Sequence, residues 1–219
     1  MKKLLYIVCI PFIFGCNSNR EVKDDKMFNK SFKKQITSGD IDKNEIEYFD
    51  ESTKIYSNFK YGISFKETRG WEIDYGVGQY TIYRAFQRDS AYTFAINVIE
   101  VDVSPKDYMS IHKMVDMFGI EAYKSQMINM MSKNANAEVF DMSSQKIYLK
   151  NYPAMKNVFL ENVKDGNDEI IFTNIMYQIM RENFTITCAF SAPQFLYEEN
   201  EQSLSEIFQY IHMLNIKKP

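Results

Sequence analysis

Four runs of strand-like sequence between Glu138 and Ser191 constrain the fold of this chain more than any other feature. They are Glu138 to Leu149, Lys156 to Val163, Glu169 to Met180 and Phe184 to Ser191. Each is rich in β-branched and aromatic residues set among polar ones, the texture of a half-buried strand. The last three are joined by Asp165-Gly166-Asn167-Asp168 and Arg181-Glu182-Asn183. Connections that short turn the chain back beside itself, so these strands must be antiparallel neighbours. Phe184, Ile186, Cys188 and Phe190 fall on one face of the last run, which makes Cys188 a core thiol.

A second group of short runs lies upstream. Ile55-Tyr56, Tyr61 to Phe65 and Trp71 to Tyr75 read as short strands. Gln79 to Arg88 and Ala91 to Val101 read as a hairpin across Asp89-Ser90, with Tyr92, Phe94, Ile96 and Val98 on one face. Ser104-Pro105-Lys106-Asp107 is a helix start, with Ser as cap, Pro at the first helical position and an acid three residues after the cap. Tyr108, Ile111, His112, Val115, Phe118 and Ala122 then recur at helical spacing, and the helix is expected to run to about Lys133 with a weak point at Gly119. A last helix is expected from the capping box Ser203-Leu204-Ser205-Glu206, burying Leu204, Ile207, Phe208, Ile211 and Leu214. The expected class is α+β: a mostly antiparallel sheet covered by one long central helix and a C-terminal helix.

The amino terminus carries a different kind of signal. Lys2 and Lys3 precede an apolar run from Leu4 to Phe14, which ends in Ile13-Phe14-Gly15-Cys16. The run is too short to span a bilayer, which takes about 20 residues, and reads as an export signal over residues 1–15. The apolar residue at −3, the small residue at −1 and the Cys at +1 resemble the lipobox of bacterial lipoproteins. That resemblance implies cleavage after Gly15 and attachment of lipid to Cys16, and two or three acyl chains anchor stably where one does not. Asn17 after the lipidated position implies forwarding to the outer membrane. Lys23-Asp24-Asp25 resembles the Lys-acidic export tags of Bacteroidota envelope lipoproteins, and the residues do not choose between the periplasmic and the surface face.

From Cys16 to Ser52 charges of both signs alternate without a sustained apolar period, which reads as a solvated tether with a mean reach of about 30–35 Å. A local helix around Lys26 to Lys34, or docking of Phe28 or Phe32 onto the domain, is compatible with that stretch. Removal of residues 1–15 takes two Lys and no acid, so the formal charge of −3 becomes −5, which argues against a nucleic-acid partner. Cys9 leaves with the signal and Cys16 is lipidated, so Cys188 has no partner for a disulfide.

Within residues 53–219 the Tyr61-Gly62-Ile63-Ser64-Phe65 opening, Gly70-Trp71, the helix after the second hairpin, the three-strand meander and the closing helix together resemble the PsbP-like fold of small exported bacterial proteins and lipoproteins. The resemblance implies an α/β/α arrangement and a binding or assembly-accessory role, with no shared active site to transfer.

The residues suggest few sites. His112 and Asp116 stand at i, i+4 and could chelate a metal, but no third ligand is apparent and the surrounding Tyr108, Ile111 and Val115 favour a half-buried His; the same reading applies to His212. Asp165, Asn167 and Glu169 imitate a calcium loop, but Ile170 stands where that loop needs Gly and Met176 where it needs Glu, so a polar hairpin turn is expected. Met114/Met117 and Met127/Met130/Met131 could offer thioethers to Cu(I), and core packing is the plainer reading. Gly76-Val77-Gly78 is a turn, lacking the third Gly and the helix of a phosphate loop. Asp89-Ser90-Ala91 resembles the O-glycosylation motif of exported Bacteroidota proteins, which makes Ser90 a candidate acceptor. No Gly-x-Ser-x-Gly or His-Glu-x-x-His occurs, and two His leave little room for a Ser-His-Asp triad.

The expectation is therefore a lipid-anchored, non-enzymatic envelope protein without a cofactor or metal. Its domain would bind an envelope protein or a small ligand, with Tyr75, Tyr80, Tyr83 and Tyr92 as a candidate contact surface or as sheet packing. The alternative is an envelope hydrolase or carbohydrate-active enzyme. Converging carboxylates in a cleft favour the enzyme, and a flat apolar patch favours the binding module.

Overall fold

The computed structural model describes residues 47–66, 70–75, 80–87, 90–100, 109–132, 137–165, 168–181, 184–205 and 211–213. The chain starts with short strands β1 (Glu47–Asp50), β2 (Ile55–Asn58), β3 (Ile63–Lys66) and β4 (Glu72–Tyr75), then the hairpin β5 (Thr81–Gln87) and β6 (Tyr92–Glu100). Helices α1 (Ile111–Phe118) and α2 (Ile120–Met131) follow. The long strands β7 (Ala137–Leu149), β8 (Tyr152–Asp165), β9 (Asp168–Arg181) and β10 (Phe184–Pro193) come next, then α3 (Gln194–Ser205) and β11 (Ile211–Met213).

The strands form two antiparallel sheets, one in the order β4-β5-β6-β10-β9-β8-β7 and one in the order β1-β2-β3-β11. β10 lies at the centre of the larger sheet and all ten of its residues are buried. Period-two alternation divides it between two cores. Phe184, Ile186, Cys188, Phe190 and Ala192 join Tyr56, Ile63, Phe65 and Ile211 of the small sheet, while Ala189 joins Ile111, Met114, Tyr123 and Met127 of the helices. The fold is thus layered as α1 and α2, the seven-stranded sheet, and the small sheet, with Leu196 and Tyr197 of α3 also packed on the sheet–sheet core. Helices on one face and mainly strands on the other replace the expected α/β/α layering.

Aromatic rings fill the space between the sheets. Tyr56 and Phe65 are cross-strand partners, and Phe65 stacks on Phe94 at 4.6 Å and tilts on Tyr83 at 4.8 Å between ring centroids. Pairs at such separations add about 0.5–1.5 kcal/mol each beyond their buried area.

Three expectations require correction. The long central helix is two helices. Gly119 takes φ +85°, ψ 149°, which ends α1, while its N–H donates to Val115 O at 2.8 Å and its own carbonyl accepts from Tyr123 N at 3.1 Å. The break resets the helical phase beyond it, so Ala122 is exposed and Tyr123, Met127, Met130 and Met131 are buried instead; Phe118, the last residue of α1, is exposed although it keeps the phase of Ile111 and Val115. α1 is capped by Ser110, whose hydroxyl accepts from Lys113 N at 3.4 Å; the cap expected at Ser104-Pro105 lies outside the described residues.

The C-terminal helix also lies elsewhere. α3 begins directly after Pro193 and ends at Ser205, where the capping box was expected to open a helix. Ile211, His212 and Met213 form a strand opposite Phe65, Ser64 and Ile63. The open edge of β3 and the apolar slot that buries Ile211 to 1% exposure outweigh the local helical pattern.

Finally, Glu47–Asp50 belongs to the small sheet, although it falls in the stretch read as tether. Asp50 closes the turn into β2. Its Oδ1 accepts from Ser52 N at 2.9 Å, Ser52 Oγ at 2.7 Å and Thr53 N at 3.3 Å, and these bonds hold its carboxyl down at about 2.

Candidate functional site

α1 is seated by the two side chains that the sequence marks as a chelating pair. His112 Nε2 lies 3.0 Å from Ala154 O, and its ring meets Tyr148 edge-on at 5.1 Å. Asp116 forms an ion pair with Lys146 of β7. One ring turns to β8 and the carboxylate to β7, so the pair holds the helix on the sheet instead of converging on a metal. Among the described residues no group of three or more His, Cys, Asp and Glu is placed to hold a metal ion.

The other marked residues also have structural work. Glu169 faces Lys164 across the β8–β9 hairpin at 3.1 Å, and the Lys164 ammonium with Asn162 holds its carboxyl below the usual range. Asn167 lies outside the described residues, as do Gly76-Val77-Gly78, Cys16 and the His212 side chain. Met114, Met127, Met130 and Met131 are buried, so they pack the core, while Met117 is 61% exposed. Tyr83 and Tyr92 belong to the sheet–sheet core, so these two are packing and not a contact surface; Tyr80 is half-buried, and the Tyr75 side chain lies outside the described residues. Ser90 is partly buried and its hydroxyl donates to Gln87 Oε1 at 2.7 Å. Cys188 is a free, fully buried thiol whose ionisation burial pushes far up.

The feature that sequence periodicity misassigned is the corner between α1 and α2. Met117, Phe118 and Ile120 are 61%, 40% and 36% exposed around Gly119, an apolar ridge in the sense of three exposed apolar residues within four positions at one corner. Helical spacing places Phe118 with Ile111 and Val115, but α1 ends at Phe118 and leaves it at the corner. The charges beside the ridge are neutralised in pairs, Asp116 with Lys146 and Glu121 with Lys124 at 3.2 Å. Three apolar side chains exposed together at one corner make a surface suited to a protein partner.

Beneath α2 the same corner rests on a buried polar chain. Ser144 Oγ donates to Asn157 Oδ1 at 2.7 Å, Asn157 Nδ2 donates to Tyr123 Oη at 2.8 Å, and Tyr123 donates to Gln178 Oε1 at 2.8 Å. Asn157 and Gln178 are 0% and 1% exposed, so each polar group here needs its partner. The chain ties α2 to β7, β8 and β9 at one defined position, which holds the ridge in place. Further along β8, Glu161 is buried with Asn174 Nδ2 3.2 Å from its Oε2, and burial pushes its carboxyl up against that bond. No helix among the described residues is long and apolar enough to cross a membrane.

No protein-family model matches the chain. No curated protein matches it either. Among solved structures it is similar to cyanobacterial PsbP (CyanoP) from Synechocystis sp. PCC 6803, at 10% identity and TM-score 0.46 over 80% of this chain and 98% of that one. It is similar at TM-score 0.40 and 9% identity to LpqN, involved in cell envelope biogenesis of Mycobacterium tuberculosis, over 69% of this chain and 83% of that one. The Saccharomyces cerevisiae Ran-binding protein Mog1p gives TM-score 0.41 and 10% identity over 70% of this chain and 91% of that one.

Proposed function

We propose that this chain is a lipid-anchored, non-enzymatic module of the cell envelope with a PsbP-like α+β domain, which binds a protein partner through the α1–α2 corner. The observation that carries the binding role is the exposed ridge of Met117, Phe118 and Ile120. The hydrogen bonds and ion pairs of the surrounding side chains seat the helices; Tyr148, Phe195, Ile170 and Ile171 are also exposed, and three apolar side chains within four residues single out the corner. Anchoring rests on the lipobox-like Ile13-Phe14-Gly15-Cys16, and Asn17 after it supports forwarding to the outer membrane. Ser90 is proposed as an O-glycan acceptor, where modification would break the bond to Gln87 and add mass to the native protein.

The test of binding is crosslinking and capture from intact envelopes with the native protein and with a Met117→Glu, Phe118→Glu variant. Exposed positions of this kind change stability by about 0.5 kcal/mol or less, so the variant folds. A partner recovered with the native protein and lost with the variant supports the ridge; equal recovery overturns it. Anchoring is tested separately: Cys16→Ala releases the protein from membranes, and retention in the membrane fraction overturns the anchor.

A further inference from the structure

Arg181, the last residue of β9, lies on the face of the large sheet away from α1 and α2 and is 8% exposed. Burial of a guanidinium is costly unless its five N–H donors find acceptors and its charge finds a partner. One donor is satisfied, Arg181 Nη1 to Gly62 O at 2.8 Å, and the Tyr152 ring lies 4.7 Å beneath the guanidinium carbon. A ring face offers a cation–π attraction but no lone pair for the remaining N–H groups. Among the described residues no carboxylate pairs with Arg181 and no other hydrogen bond to it is present, while none of its other nitrogens is fully enclosed, so the remaining N–H groups open to solvent.

The surroundings exclude the obvious internal partner. Arg181 pairs in register with Phe184, whose partner on the other side is Glu100. Glu100 is held by Lys60 at 2.6 Å. Lys60 also donates to Tyr61 Oη at 3.3 Å, and the Tyr61 ring packs edge-on against Phe184 at 5.0 Å. The carboxylate on this end of the sheet is therefore neutralised by a different cation, in the stretch Lys60-Tyr61-Gly62 that supplies the carbonyl to Arg181.

We propose that Arg181, with Tyr152 and the Gly62 carbonyl fixing its plane, is a binding site for an oxyanion group, a carboxylate or a phosphate, of a ligand this protein receives at the end of its large sheet. The guanidinium fork matches two oxygens of such a group side by side, and its partial burial strengthens each bond by excluding water. The Gly62 bond and the ring orient the fork before the ligand arrives, so little rotamer freedom is lost on binding. The site lies on the opposite face of the sheet from the α1–α2 ridge and does not depend on the partner proposed there.

The test is titration of the full chain with inorganic phosphate and with acetate, against sodium chloride at matched ionic strength. Binding is read from the Arg181 Nε–Hε resonance of the native protein and from calorimetry. The expected result is a saturable shift of that resonance with one of the two oxyanions and none with chloride. Response to phosphate assigns a phosphorylated ligand and response to acetate a carboxylate ligand. Arg181→Lys keeps the charge and loses the fork, and should weaken binding by about tenfold or more. A native resonance that stays still with both oxyanions, or that moves equally with chloride, overturns the site whether or not the variant folds. So does equal affinity in a folded Arg181→Lys protein, which would leave Arg181 as a clamp between the two sheets.

Discussion

The hydroxyl of Tyr123 in α2 donates to Gln178 Oε1 of β9 at 2.8 Å, in a place where Gln178 is 1% exposed. The same hydroxyl accepts from Asn157, so one oxygen joins the helix to two strands. Tyr123→Phe keeps the ring and removes both bonds, leaving two buried amides short of a partner. The expected loss is about 1–3 kcal/mol in denaturant unfolding. An unchanged midpoint would mean that the chain of bonds does not hold α2.

Glu161 supplies a pH dependence of definite sign. Burial raises its carboxyl above the ordinary 4.5, so the folded state holds that proton more tightly than the unfolded state. Its contribution therefore favours the fold at low pH and is lost as pH rises from 4.5 through the raised value. Glu161→Gln keeps an acceptor for Asn174 and cannot ionise. Its melting temperature should exceed that of the native protein at about pH 7, with the gap closing toward about pH 4. A gap that is reversed, or constant with pH, contradicts this.

Gly119 distinguishes the broken helix from a continuous one. A Cβ there meets nothing within 4 Å, so the only obstacle to a side chain is the φ of +85°. Gly119→Ala is expected to destabilise by about 1–3 kcal/mol through backbone strain. In an uninterrupted helix the same change would stabilise by about 1 kcal/mol. The sign of the shift in thermal unfolding decides between the two.

Cys188 is fully buried among apolar side chains, with its ionisation strongly suppressed. It should not react with thiol reagents in the folded protein and should react stoichiometrically once the chain is unfolded. Cys188→Ser places a hydroxyl in the same apolar site at a cost of about 1–3 kcal/mol. Rapid labelling of the native thiol would refute its burial.

Much of the candidate site was visible in the residues and much was not. Gly119 stands out in the sequence as a weak point, and helical spacing puts Phe118 on the face of Ile111 and Val115, but where α1 ends relative to the sheet, and so the exposure of Phe118, is not a local property. His112 and Asp116 were readable as a pair on one helix face. Their partners Ala154 and Lys146 lie 42 and 30 residues away, and no local pattern names them. Arg181 was read as part of a turn. Its burial depends on Gly62, 119 residues upstream.

The residues by themselves determined the strands of the antiparallel meander, because period-two alternation and connections of three and four residues admit one kind of neighbour. They also determined Cys188 as a core thiol and the presence of helix after the β5–β6 hairpin. Tertiary structure decided what competes for an open edge. Ile211 carries a helical pattern, but the unpaired edge of β3 offers it backbone hydrogen bonds and a dry slot opposite Phe65, and a strand forms there. The division into two sheets, the phase of α2 and the isolation of Arg181 were decided in the same way. Each depends on groups far apart in the chain that only the folded structure brings together.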